Sequence, residues 1–161
     1  MPKSKREINP PRGISRFLFR MPIILYRIGL GGLMGRRFLL LNHTGRESGL
    51  PRQNVLEVIR RDEERKEFVV VSAYGKKADW YQNILKHPQV NVQAGRYKIM
   101  AKAIPLTQEE TLDEFTDYNL RNPGLIFSFA TMVGHRVAQS EKGLKELSRL
   151  MHAVRLQADG T

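Results

Sequence analysis

Two arginines in a glycine-rich turn are the residues most suited to chemistry in this sequence. The segment Thr44-Gly-Arg-Glu-Ser-Gly-Leu-Pro-Arg52 is dense in glycine, hydroxyls and arginine. Glycines allow positive φ and close approach of the backbone. Backbone N–H groups in such a turn form an anion nest. Arg46 and Arg52 have the planar fork that grips a phosphate or carboxylate bidentately. The alternative reading is a surface hairpin whose arginines are merely solvated.

A second cluster lies at Trp80-Tyr81, the only tryptophan beside one of five tyrosines. It follows Ser72-Ala-Tyr-Gly-Lys-Lys77 and opens a helix. A helix N-terminus offers free N–H groups to an anion or a carbonyl oxygen, and an aromatic pair can wall a planar ring. The bland alternative makes Trp80 a core anchor covered by Tyr81. Other patterns fail on context. Gly29-Leu-Gly-Gly-Leu-Met-Gly35 lacks the strand before it and the βαβ unit after it that a dinucleotide loop needs. His43, His87, His135 and His152 are scattered, with no metal-ligand spacing. Ser72, His43 and Asp79 would make a hydrolytic triad, but no Gly-x-Ser-x-Gly elbow supports one.

The elements that must position these residues follow from hydrophobic period. Phe38–His43 reads as a buried strand entering the turn. Gln53–Arg61 reads as a second strand, with Asn54, Leu56, Val58 and Arg60 on one face and Val55, Glu57 and Ile59 on the other. Asp62–Arg65 is a charged hairpin connection, and Glu67–Ser72 is a strand apolar on both faces, hence central. Short turns between these strands imply antiparallel pairing. Asp79 is the expected N-cap of a helix Trp80–Lys86 that His87-Pro88 ends. Val90–Gln93, the hairpin at Ala94-Gly95-Arg96 and Tyr97–Ile104 add two strands. Thr107-Gln-Glu-Glu110 is a capping box opening a helix to about Leu120. A turn at Asn122-Pro123-Gly124 leads to the apolar stretch Leu125–Val133, and a last helix is expected from Glu141 to about Leu156. Five or six antiparallel strands with helices before, between and after them make an α+β barrel or sheet.

The chain has 161 residues, a length suited to one domain. The expected division is a disordered basic arm over 1–13 and a single domain over 14–161, opening with helical spacing at Phe17, Leu18, Met21, Ile24, Leu25 and Ile28. The absence of cysteine excludes disulfides, thiolate metal sites and thiol nucleophiles, and a reducing cytoplasmic setting fits. No secretory signal or membrane span is expected, because Arg20, Arg27, Arg36 and Arg37 interrupt the best apolar stretch. The formal net charge is +11, and it is uneven: residues 1–61 hold 13 Lys and Arg against three Glu. A basic front half suggests nucleic acid or an anionic membrane. Thin aromatic interleaving ranks the membrane higher, with residues 1–37 as the contact.

Taken in order, the apolar strand, Thr44-Gly-Arg-Glu-Ser-Gly-Leu-Pro-Arg52, Phe68–Ser72, Gly75, Asp79-Trp-Tyr-Gln-Asn-Ile84 and His87-Pro88 resemble the deazaflavin-dependent nitroreductase family over about residues 38–107. The resemblance implies a split β-barrel, related to FMN-binding split barrels, and coenzyme F420, a deazaflavin carrying a phosphate and a polyglutamate tail. It implies an oxidoreductase passing hydride between the cofactor and an activated alkene, quinone or nitro-type acceptor. Carried over position by position, Arg46, Ser48 and Arg52 grip phosphate and tail, and Asn54 and Leu56 lie beside the ring. Ser72, Ala73, Tyr74, Gly75 and Lys77 meet the ring edge, and Trp80, Tyr81 and Asn83 cap phosphate or ring. Tyr74 and Ser72 are the expected proton donors to substrate. Glu47 stands where many members carry a basic residue, and Ala73-Tyr74 where many carry Lys. Tyr118, the only tyrosine in the C-terminal third, has no clear counterpart among the family's substrate-side tyrosines. FMN, which has a phosphate but no polyglutamate, is the alternative cofactor. The FMN branch also implies a homodimer with the cofactor at its interface.

Overall fold

Alternation of apolar side chains with a period of two decides the architecture. The computed structural model describes residues 37–95 and 97–160. The basic arm expected over 1–13, the helical segment over 14–35 and Arg96 of the expected hairpin lie outside the described residues. Six strands run in chain order as β1 (Phe38–Thr44), β2 (Pro51–Asp62), β3 (Glu67–Ser72), β4 (Gln89–Ala94), β5 (Tyr97–Pro105) and β6 (His152–Ala158). Among the described residues four α-helices accompany them: α1 (Asp79–Lys86), α2 (Gln108–Arg121), α3 (Leu125–Met132) and α4 (Glu141–Leu150). The strands close into an antiparallel barrel in the order β1-β2-β3-β6-β5-β4. Closure leaves no strand edge unpaired.

Every second residue points inward. Leu39 and Leu41, Leu56 and Val58, Phe68 and Val70, Val90 and Val92, Ala101 and Ala103, and Val154 and Leu156 share one interior cluster. A second core lies outside the barrel wall, where Ile59, Val69, Val71 and Ala153 meet Phe115, Ile126, Phe129, Leu144 and Leu147 of α2, α3 and α4. This is why β3 is apolar on both faces: Val70 fills the barrel while Val69 and Val71 lie under helices. The fold is therefore α+β, with a closed antiparallel barrel as expected.

The capping box forms as its spacing implies: Glu110 N–H donates to Thr107 Oγ1 at 3.1 Å and Thr107 N–H to Glu110 Oε2 at 2.8 Å. Three expectations are corrected. The last helix ends at Leu150, and residues expected to extend it to Leu156 form β6 instead. Leu144, Leu147, Met151 and Val154 fit a helical period, but Val154, Leu156 and Ala158 also fit a strand. Pairing decides, because β6 closes the gap between β3 (Val70↔Val154) and β5 (Ala103↔Leu156). Arg60 does not share the face of Val58. An irregularity between Val58 and Arg60 shifts the register so that Arg60 pairs opposite Val69, whose side chain faces outward. Arg60 there binds Glu67 at 2.9 Å and Glu114 of α2 at 3.0 Å, pinning the helix to the wall. Finally, Asp79 is the first residue of α1 rather than its cap; Ala78 holds the cap position without a side-chain bond.

One glycine shows how tightly α4 meets its approach segment. A Cβ on Gly143 would sit 1.7 Å from the carbonyl oxygen of Ala138. Gly143→Ala is expected to destabilise the protein by about 1–3 kcal/mol or more through forced repacking. Lys145→Ala, exposed on the same helix, should stay within about 0.5 kcal/mol of wild type. Urea unfolding of the two variants beside wild type makes the comparison.

Candidate functional site

Strand direction gathers the sequence-selected residues at one end of the barrel. β1 ends there and β2 begins there, since Thr44 pairs with Pro51. β3 ends and β6 begins there, since Ser72 pairs with His152. α1 lies across this end, and its Trp80, Tyr81 and Ile84 join the barrel's interior cluster.

The β1–β2 turn is built by its own small residues. Gly45 N–H donates to Leu50 O at 2.8 Å, and Gly49 N–H to Gly45 O at 3.0 Å. Gly49 has φ +69°, a left-handed conformation suited to glycine. Ser48 Oγ accepts from Leu50 N–H at 3.2 Å, so this hydroxyl shapes the turn. Arg46 projects from the turn toward α1. Its Nη1 donates to Asn83 Oδ1 at 2.9 Å and its Nη2 to Asp79 Oδ1 at 3.2 Å. The backbone N–H of Arg46 also donates to Asn83 Oδ1, at 3.0 Å, and Lys86 Nζ donates to the Arg46 carbonyl at 3.0 Å. Asn83 is buried and meets His43 Nδ1 through Nδ2 at 3.2 Å, while His43 Nε2 lies 2.8 Å from Asn54 Oδ1. Arg46, Asn54 and Asn83 thus belong to one network. Arg52 lies opposite His43 in the β1–β2 register, with its side chain exposed beside the turn.

The turn after β3 supplies the neighbouring wall. Ser72 is fully buried and its Oγ donates to Gly75 O at 2.7 Å. Its hydroxyl points into the protein and holds the turn. Gly75 has φ +59°, and a Cβ there would lie 2.7 Å from the Leu150 carbonyl oxygen. The Ala73 carbonyl accepts from His135 Nε2 at 2.6 Å. Tyr74 is half-buried against the barrel core, and burial raises its phenol above its ordinary range, so it stays protonated at neutral pH. Lys76 and Lys77 complete the turn as exposed residues.

Three sequence-selected residues sit in the core. Leu56, Trp80 and Tyr81 are each about 95% buried, and the two aromatic rings pack edge to face at 6.0 Å. Trp80 and Tyr81 therefore seal the barrel end rather than wall an open ring site. Sequence reasoning missed His43, Asp79, Lys86 and His135 as partners of the site. The available signal was local for two of them: His43 continues the inward alternation of Leu39 and Leu41, and Lys86 ends the helix that carries Asn83. Tyr118 lies on the flank, where its hydroxyl donates to buried Glu57 at 3.4 Å; burial first, then the Glu57 charge, pushes its pKa up to about 12.

Together the two turns and α1 carry Arg46, Arg52, Lys76, Lys77 and Lys86 against Glu47 and Asp79. Fork-shaped and flexible cations around a backbone-rich turn suit a ligand with several negative charges, a phosphate among them. Burial holds His43 below the ordinary histidine value of 6.5; Asn54 opposes the shift, Arg52 adds to it and Asp79 opposes it. Burial, then Lys76, lowers His152 likewise. Below pH 6.5 the unfolded chain takes up protons at these histidines that the fold refuses. Their contribution to stability is thus complete above that pH and falls as the pH drops toward the folded values. Glu57, raised by burial, acts in the opposite sense. Urea midpoints should drop between pH 7.5 and 5.5 less steeply in a His43→Asn/His152→Gln double variant than in wild type, on the order of the histidine proton uptake.

Comparison with known proteins places the chain in a family. The family model for F420H(2)-dependent quinone reductase matches residues 26–132. No curated protein matches the chain. Among solved structures, an F420-H2 dependent reductase, FDR-A, aligns with a TM-score of 0.51 and 19% identity, over 76% of this chain and 95% of that one. A chain solved as a domain-swapped dimer aligns at 0.52 and 16% identity, over 90% of this chain and 100% of that one. HutZ, the heme storage protein from Vibrio cholerae, aligns at 0.51 and 16% identity, over 88% and 91%. At these identities the structural likeness shows the fold, the split barrel. The family match covers five of the six strands, both turns and α1, and by it the chain belongs to the F420H2-dependent quinone reductase family: it is an oxidoreductase whose cofactor is coenzyme F420.

Proposed function

We propose that the anionic part of F420 lies over the β1–β2 turn, held by Arg46 and Arg52, with Lys76, Lys77 and Lys86 toward the tail. The observation that carries this reading is the Arg46 guanidinium, clasped by Asn83 and Asp79 beside the start of α1. Pre-ordering an arginine lowers the entropy lost when it closes on an anion. The backbone of Ala73, Tyr74 and Gly75 forms the neighbouring wall, against which a flat ring would rest, with Ser48 shaping the β1–β2 turn and Asn54 joined to it through His43 and Asn83. When bound, the reduced cofactor supplies a hydride from C5 of its deazaflavin ring.

The acceptor we infer is a quinone, with activated alkenes and nitro compounds as related acceptors. Adding hydride to such a group also requires a proton. Tyr74 is the residue placed to donate a hydrogen bond to the acceptor oxygen, since burial keeps its phenol protonated. Two measurements test the reading. Titration with F420 should show binding, and Arg46→Ala should weaken it by about tenfold or more, the worth of a charge-assisted bond. Oxidation of F420H2, followed near the cofactor's absorbance at about 420 nm, should proceed with a soluble naphthoquinone, and Tyr74→Phe should lower kcat more than it changes KM. Absence of F420 binding, or turnover indifferent to Tyr74, would overturn the respective part.

A quinone acceptor dissolves in lipid, and the basic front half of the chain supports a peripheral contact of residues 1–37 with an anionic membrane from the cytoplasmic side. Among the described residues no helix is long and apolar enough to cross a membrane. Co-sedimentation with vesicles containing anionic lipid should be lost with salt and on deletion of residues 1–35 while F420 binding persists; retention by the deletion variant would sink the idea. The relative solved as a domain-swapped dimer supports a homodimer as the assembly of this chain.

A further inference from the structure

We propose that His43 is the positioning residue that aims Arg46 at the cofactor's anionic groups, acting through Asn83 and only as the neutral imidazole. This rests on the reading of Arg46 as part of the F420 grip. The argument is one of hydrogen-bond direction. Asn83 Oδ1 accepts two N–H groups of Arg46, at 3.0 and 2.9 Å. Its Nδ2 therefore faces His43 Nδ1, at 3.2 Å, and an amide nitrogen only donates. Nδ1 must then be the acceptor, and Nε2 carries the hydrogen given to Asn54 Oδ1 at 2.8 Å. The chain of bonds runs one way from Arg46 and Asn83 through His43 to Asn54, and each member fixes the next.

A second proton on His43 breaks that order. Nδ1–H would meet the Asn83 NH2 group, donor against donor. Relief by turning the amide would present Nδ2 to Arg46, where both partners are donors again. Protonation therefore releases Arg46 from Asn83 and leaves Asp79 as the remaining partner of its guanidinium on α1. The groups facing the imidazole explain why it stays neutral. His43 is 5% exposed, at the barrel end beneath α1. Arg52 stands opposite it on β2 and opposes a second positive charge, Asp79 of α1 favours one, and Asn54 and Asn83 are uncharged. Burial is the largest of these effects; the Asn54 hydrogen bond opposes it and Arg52 adds to it. An asparagine at position 43 keeps an acceptor on the Nδ1 side and cannot titrate; a leucine keeps neither.

The experiment measures F420 affinity by calorimetry for wild type, His43→Asn and His43→Leu between pH 7.5 and the pH at which 15N NMR shows His43 of the wild type to titrate. At pH 7.5, wild type and His43→Asn should bind within about twofold of each other, and His43→Leu about tenfold more weakly. As the pH falls, wild type should weaken relative to His43→Asn; any titration of the cofactor itself is common to both and cancels in the ratio. A leucine variant that binds as wild type does, or a ratio constant through the His43 titration, overturns the proposal. Should the leucine variant fail to fold, that ratio decides alone. Wild type that binds no F420 at any pH overturns the cofactor reading instead. The linkage is then read from the side-chain N–H resonances of Arg46 and Asn83, which support it by following the His43 titration and overturn it by ignoring it.

Discussion

Closure of the six-stranded ring by β6 is the constraint on which the rest of the molecule depends. Without that strand, β3 and β5 would present unpaired backbone groups, and an open edge is a costly and aggregation-prone surface. With it, Ser72 pairs with His152 and Pro105 with Val154, so the ends of β3 and β5 and the start of β6 are drawn to the same rim. The rim already holds the β1–β2 turn. Residues far apart in sequence, from Arg46 to His152, thereby share one end of the barrel. Gly75 marks how close the approach is, since only a residue without Cβ fits between the β3 turn and the Leu150 carbonyl.

The open mouth of a barrel exposes apolar interior unless something seals it. Here α1 does so with Trp80, Tyr81 and Ile84, while its polar side turns to the rim. Asn83 stands between these two duties. It is buried, so its amide needs partners, and it finds them in Arg46 on one side and His43 on the other. Sealing the barrel and ordering Arg46 are the same structural event. The exposed arginine is held in place by a helix whose position is fixed by core packing.

The strands were legible because their periodicity is strong and their turns are marked by Gly and Pro. The capping box at Thr107 was legible because it is a local reciprocal bond. The end of the last helix was not, since Val154 satisfies helical and strand spacing together and only non-local pairing separates them. The face of Arg60 was lost to a register shift that no residue type announces. At the site, the glycine turn and Arg46 were readable from composition. The inward aim of the Ser72 hydroxyl depends on the turn after β3, and the burial of Trp80 and Tyr81 on where α1 lands. His43 was discounted because no second metal ligand accompanied it, whereas its partners are amides on β2 and α1.

Charge placement separates the two ends of the barrel more sharply than the total does. On the flank and far end, arginines meet carboxylates at short range: Arg60 with Glu67 and Glu114, Arg61 with Glu63, Arg121 with Asp117, and Arg37 with buried Glu57. Those groups neutralise one another, and the Arg60–Glu114 pair holds α2 to the wall. At the rim, five cations share two carboxylates, and the Asp79 carboxylate that meets Arg46 is largely exposed, so its attraction is screened by water. Asn83 takes the larger share of fixing Arg46, and a neutral amide orients the guanidinium without cancelling its charge. An arginine ordered chiefly by an amide, its carboxylate partner screened by water, is better prepared for an anionic cofactor than one locked in a buried ion pair, because binding then has no strong pair to break.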